Sequence, residues 1–239
     1  MSTAPPGRAR RATLGLLAIL LTLACLIHTG DRGTAAIPPT GPMDTTARLA
    51  VSRTGSLAVA ETTAFDSYRE EDLALGGRAH TGFRLPDRHQ GPFPVYLRPS
   101  YHDATATLDG ADLRLEAHRT GHAYVAVHPT QVREGPHRFV LRYRQEGGAR
   151  TVDGRVELRW RPLSGGFERV VVRGPGVTRA RCVTRFWGER LCGRVDGGVL
   201  VVDEAALRGA DGADDDAQSL VIVADPAGYD LPAPHLDRD

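Results

Sequence analysis

From Leu49 to Val223 the chain alternates apolar and polar residues with a period of two, in short runs that end at Gly, Pro or Asp-Gly. Period-two runs bounded in this way predict half-buried β-strands. RLAVSRTGSLAVAE (48–61) holds two such runs around Ser52-Arg-Thr-Gly55 and predicts a hairpin. Residues 65–93 carry acids, paired glycines and prolines, and predict mostly loop with one helical turn near Glu70 to Leu75. Val95 to Arg98 predicts a strand, and ATATL, DLRLEAH and HAYVAVH, separated by Asp109-Gly110 and Thr120-Gly121, predict a three-strand meander. HRFVLRYRQ (137–145) puts His137, Phe139, Leu141 and Tyr143 on one face, with three arginines and Val140 on the other. RVELRWR (155–161) repeats the arrangement with Val156, Leu158 and Trp160 inward. ERVVVRG, RARCVTRF, RLCGRV, GVLVVDE and SLVIVAD follow. About a dozen short strands with almost no 3.6-residue period predict an all-β, antiparallel, immunoglobulin-like sandwich over residues 44–228. Glu204 to Arg208 is a brief helix candidate, Gly209 to Asp216 an acidic loop, and 229–239 a polar tail.

The N-terminus follows a different pattern. Arg8, Arg10 and Arg11 precede the apolar run Ala12 to Ile27, which polar residues from His28 then end. This is the layout of a secretory signal or a membrane anchor helix over residues 1–36, followed by a Gly/Pro/Thr-rich linker that ends the non-domain part at residue 43. Sixteen apolar residues fall short of the ~20 that span a bilayer comfortably. Three processing outcomes stay open. Cleavage after Thr34-Ala-Ala36 would release a soluble chain, and a lipobox-like Thr22-Leu-Ala-Cys25 would make Cys25 an acylated N-terminus. An uncut segment would tether the protein. Arg10-Arg11 also resembles a twin-arginine signal, with a poor match in the residues after it. In every case the positive flank predicts that the domain lies outside the cytoplasm, membrane-associated or secreted.

Composition adds little. The 239 residues carry 30 basic and 29 acidic side chains, a formal charge of +1, so no nucleic-acid partner is indicated. Every basic residue is Arg, and Lys and Asn are absent, as expected of a GC-rich, actinobacterial-type coding bias. Beyond Cys25 the only cysteines are Cys182 and Cys192. In an exported chain this pair predicts one disulfide rather than a zinc site, which would need four ligands.

Chemistry is sparse. The chain has no G-x-S-x-G, H-E-x-x-H, P-loop or G-x-G-x-x-G, so no catalytic residue and no cofactor are indicated. Asp211 to Asp216 lacks the order of a calcium loop and reads as a solvated surface. His118 and His122 flank a predicted turn. With His102 or Asp103 they form the alternative to surface strand histidines, a metal site in a metal-binding or hydrolytic envelope protein. The most explicit contact feature is Phe186-Trp187, flanked by Arg185 and Arg190 inside the Cys182 to Cys192 loop. Trp and Arg are enriched at binding hot spots, although the Trp187 ring could equally cover the disulfide.

One order of motifs runs through the exported part: GSLAVAE (55–61), FRLP (83–86), GPHRFVLRY (135–143), VELRW (156–160), a Val-rich strand reaching Gly174-Pro175, and the two cysteines. In this order residues 44–228 resemble the extracytoplasmic N-terminal domain of the predicted membrane proteins of domain of unknown function 2207. The resemblance implies a β-sandwich without established catalytic residues. Family members usually carry transmembrane helices after this domain; no such run follows here. The expectation is an exported envelope protein that binds or scaffolds another envelope protein or a wall polymer, with the membrane reached through the N-terminal segment.

Overall fold

The alternation becomes burial where it is strongest. In β1 (Asp44–Val51) and β2 (Leu57–Ser67), Ala47, Leu49, Val51, Leu57, Val59 and Phe65 are buried, whereas Arg48, Ala50, Ala58 and Ala64 face solvent. The turn between them is closed by Gly55 N–H donating to Ser52 O (3.1 Å) and Ser56 N–H donating to Ser52 Oγ (3.1 Å). Gly55 has φ 75°, and a Cβ there would sit 2.5 Å from that of Ala149, so both conformation and space call for glycine. At the predicted Asp109-Gly110 turn both residues have positive φ (51° and 86°), the primed geometry that matches the twist of paired strands.

A computed structural model describes residues 44–68, 70–73, 76–78, 83–84, 95–120, 122–127, 130–163, 167–184, 188–203, 217–233 and 236–238. The signal or anchor segment, the linker, residues 185–187, the helix candidate at 204–208 and the acidic loop lie outside the described residues.

Two sheets make the sandwich. The larger has eight strands in the order β18 (Arg194–Asp196), β19 (Val199–Val202), β15 (Arg169–Arg173), β1, β2, β12 (Gly135–Glu146), β7 (Ser100–Leu108) and β8 (Ala111–Leu113). The smaller has five: β13 (Ala149–Val152), β14 (Arg155–Trp160), β20 (Ala217–Ala224), β16 (Val177–Thr184) and β17 (Glu189–Cys192). Between them lies one core, in which Leu141, Leu158, Trp160, Leu200, Leu220 and Ile222 are fully buried. Burying each such side chain contributes about 1.5–3 kcal/mol. Three small sheets complete the described strands: β3 (Glu71–Leu73) with β11 (Thr130–Val132), β4 (Gly76–Arg78) with β10 (His122–Val127) and β9 (Leu115–Thr120), and β5 (Phe83–Arg84) with β6 (Val95–Leu97) and β21 (Leu236–Arg238). β21 comes from the segment expected to be a polar tail.

The all-β sandwich is as expected, with three corrections. β1 pairs with β15 in parallel, so the sandwich is not wholly antiparallel. The chain reaches β15 only after β2 to β14, a long crossover of the kind parallel pairing requires, and alternation carries no information on strand direction. Glu71–Leu73 is a strand paired with β11, not a helical turn. The meander splits at Arg114: β7 and β8 form a hairpin in the eight-stranded sheet, while β9 and β10 pair in a separate sheet. The alternation Leu113, Leu115, Ala117 runs straight through that break, because it records which residues share a face and not which strand is the partner.

Candidate functional site

The disulfide between Cys182 and Cys192 is present, with Cα atoms 5.7 Å apart, and both residues are buried in the core. It closes the β16–β17 hairpin on its inner face, where Cys182 stands opposite Arg190 and Cys192 opposite Ala180. Arg190 is half-buried in β17; Arg185, Phe186 and Trp187 lie outside the described residues, as does Cys25.

The histidines are divided between sheets. His102 lies in β7 of the eight-stranded sheet, with Nε2 at 2.9 Å from Ser100 Oγ and 3.7 Å from Glu146 Oε2. His118 and His122 belong to the β9–β10 ladder, where His118 stands opposite Tyr124 and His122 opposite Thr120. Among the described residues, no three His, Cys, Asp or Glu side chains converge to hold a metal ion.

A concave feature lies elsewhere, on the outer face of the eight-stranded sheet. It is a trough of about 1130 Å³ across β19, β15, β1, β2, β12 and β7. Strand register places the outer-face residues around it in three cross-strand rows. Arg169, Thr46, Thr62, Val140 and Thr107 form the first. Val171, Arg48, Ala60, Arg142 and Thr105 form the second, and Arg173, Ala50, Ala58, Arg144 and His102 the third. Small residues of β2 thus form a floor, with Arg48 on one side and Arg142 and Arg144 on the other. At ~4.8 Å per strand, Arg48 and Arg142 rise about 10 Å apart.

The lining contains five arginines (Arg48, Arg142, Arg144, Arg169, Arg173) and a single carboxylate, Asp103. All five arginines are exposed. Arg144 meets Asp103 at 3.2 Å and Glu146 at 3.4 Å. Among the described residues, Arg48, Arg142, Arg169 and Arg173 have no carboxylate partner. Asp103 sits at φ 54° where the β7–β12 register shifts, and this bulge carries its carboxylate to the trough edge.

A buried polar node holds the floor from below. Glu61 Oε1 accepts from Tyr143 Oη (2.6 Å) and from the Leu163 N–H (2.9 Å), and Tyr143 Oη accepts from Trp160 Nε1 (2.9 Å). Burial, reinforced by Glu61, pushes the Tyr143 phenol well above its ordinary value, so it remains a donor. This node ties β2 and β12 to β14 of the other sheet and fixes the floor strand and the strand from which Arg142 and Arg144 rise.

Sequence reasoning missed the trough. The available signal was the contrast between Arg-interrupted strands with and without acids: RFVLRYR and RVVVR place arginines on the outer face without an acid among them, whereas RVELR alternates Glu157 with Arg159.

No family model matches the chain, and no curated protein matches it. Among solved structures, the chain is similar to a Legionella pneumophila protein named for nutrient binding, at 12% identity and TM-score 0.46, covering 79% of this chain and 69% of that one. It is similar to yeast leukotriene A4 hydrolase at 7% identity and TM-score 0.44, covering 84% of this chain and 32% of that one. An M1 zinc metallopeptidase of Deinococcus radiodurans follows at 16% identity and TM-score 0.39, covering 77% of this chain and 43% of that one. The chain therefore spans less than half the length of the two hydrolytic enzymes.

Proposed function

We propose that the chain is an exported, non-catalytic β-sandwich module that binds or scaffolds a component of the cell envelope, an envelope protein or a wall polymer. The observation that carries this reading is the outer face of the eight-stranded sheet, which is largely exposed among the described residues. A sandwich needs only the inner face of each sheet for its core, and here the outer face forms a wide trough lined by charged and small side chains. Concave surfaces on rigid sheets are where binding sites are commonly built. Export is supported by the basic and apolar N-terminal layout and by the buried disulfide, a bond that persists in oxidising compartments. The motif order resembling domain of unknown function 2207 points the same way.

Co-sedimentation of the full chain with isolated cell-wall sacculi and with membranes tests the reading. Retention on either is the expected result, and absence from both overturns it. Intact-mass analysis of membrane and culture fractions tests export: a start at Ile37, an acylated Cys25 or an uncut chain would each leave a distinct mass. Recovery from the cytosol with both thiols reduced would contradict it.

A further inference from the structure

Five arginines on one sheet face with a single lining carboxylate is an arrangement that folding alone does not favour. Like charges on neighbouring strands repel, and here Arg48, Arg142, Arg169 and Arg173 share a face without neutralising partners among the described residues. The chain as a whole carries only +1, so this is local sorting of charge and not overall basicity. We propose that the trough binds an anionic glycopolymer, carrying carboxylate or phosphodiester groups, laid along β2 between Arg48 and the Arg142/Arg144 pair. The inference rests on the binding-module reading and gives its ligand a chemistry.

Three features support a polyanion over other occupants. Guanidinium groups bind carboxylate and phosphate bidentately, and those of Arg48, Arg142, Arg169 and Arg173 are exposed with no acid to displace among the described residues. Same-face residues of a strand recur every ~6.7 Å, so Arg142 and Arg144, with Arg169 and Arg173 two such steps apart, present a repeating set of cations suited to a repeating ligand. Among the described residues the only aromatic side chain in the lining is Tyr143, whose ring is buried and whose hydroxyl is engaged below the floor. The described lining therefore offers no exposed stacking platform of the kind that serves single-stranded nucleic acids, and charge is its main recognition element. Ala58 and Ala60 leave the floor low enough for a polymer backbone to lie between the guanidinium walls.

The test titrates the full chain with polygalacturonate, with poly(glycerol phosphate) and with neutral dextran, at about 50 mM and about 200 mM salt. One or both polyanions should bind and weaken with salt, while dextran should not bind; the polyanion that binds tells carboxylate from phosphodiester recognition. The double variant Arg48→Thr/Arg142→Thr should weaken binding by ~10-fold or more, with a shallower salt dependence. Arg155→Thr/Arg179→Thr, which removes the same charge from exposed positions outside the trough, should weaken it less than about 2-fold. The proposal is overturned if neither polyanion binds, or if the two double variants lose affinity alike. It is also overturned if the chain dimerises and Arg48→Thr/Arg142→Thr disperses the dimer, which would assign the face to a second copy. Retention on sacculi without polyanion binding would sink the trough assignment alone; loss of both would sink the binding-module reading with it.

Discussion

The outer faces of the two sheets treat arginine in opposite ways. On the five-stranded sheet, Arg150 meets Glu157 Oε2 at 3.4 Å, and Arg181 bridges Glu157 and Glu189, reaching Glu189 Oε2 at 2.8 Å. Arg159 closes the series on Glu189 Oε1 at 3.3 Å. These groups are largely withdrawn from water: Arg150, Glu157 and Arg159 are buried, and the same face carries the buried Val183, Val221 and Val223. Burial lowers the pKa of Arg159, and the opposing influence of Glu189 and Glu157 favours its charged form. On the eight-stranded sheet the trough arginines remain in solvent, four of them without an acidic partner among the described residues. A buried guanidinium must be paired, whereas an exposed one can stay available. The difference separates arginine that serves the fold from arginine that is free to meet a ligand.

If that division is right, substitutions on the two faces should differ most in stability. Glu157→Ala removes the carboxylate shared by Arg150 and Arg181 in a buried setting, and should destabilise by about 3 kcal/mol. Urea unfolding with an unchanged m-value would measure it. A loss below about 0.5 kcal/mol, the usual range for surface positions, would mean that the ladder is no more structural than the trough.

The covalent tie in the same sheet ranks next. Cys182→Ala/Cys192→Ala opens a short loop, and should cost roughly 2–3 kcal/mol in the chain-entropy model. Thermal melts of the double variant and of the reduced native chain should agree. An unchanged midpoint would show that strand pairing alone holds the β16–β17 hairpin.

How far this division was legible in the sequence depends on what each pattern encodes. Inward and outward facing was readable because side chains alternate along a strand: Phe139, Leu141, Tyr143, Val156, Leu158 and Trp160 are buried as their spacing requires. Asp109-Gly110 was readable because few residues accept positive φ. The parallel β1–β15 pair was not, since pairing partners are set by contacts across more than a hundred residues. The trough was hidden for the same reason. Arg48, Arg142 and Arg173 are remote in sequence and become neighbours only through β1, β2, β12 and β15. By composition alone abundant arginine reads as coding bias, and only its sorting by face gives it meaning.

The eight-stranded sheet also carries a close histidine–aspartate pair, which sharpens the contrast within a single layer. His137 Nδ1 lies 2.7 Å from Asp109 Oδ2, and Nε2 lies 2.7 Å from Arg133 O, so both ring nitrogens face acceptors. Burial opposes the charged ring, but the Asp109 hydrogen bond, with the Arg133 carbonyl, outweighs it and the pKa rises. For Asp109 burial acts upward, and its hydrogen bonds with His137 and the Arg138 N–H bring the net value down. A raised histidine stabilises fully below its unfolded value of about 6.5, and the contribution is lost as pH rises through the folded pKa. The lowered aspartate stabilises above about 3.9, and its contribution is lost as pH falls through its own folded value. His137→Gln should therefore lower the melting temperature most between those limits and progressively less at alkaline pH. A deficit that stays constant from pH 5 to about pH 9 would show that the ring acts by packing on Phe65 and not by charge.

The smallest expected effect is the most diagnostic. Arg48→Thr/Arg142→Thr removes two exposed cations from a like-charged face and replaces them with a residue that favours strands. Surface substitutions of this kind usually change stability by no more than about 0.5 kcal/mol each, and relief of repulsion should tip the sign toward stabilisation at low salt. Adding salt should erase the gain, because screening removes the repulsion in the native chain as well. If the double variant instead loses more than about 1 kcal/mol at every salt concentration, then Arg48 and Arg142 are held by the fold. The trough would then differ from the Glu157 ladder in exposure only, and not in purpose.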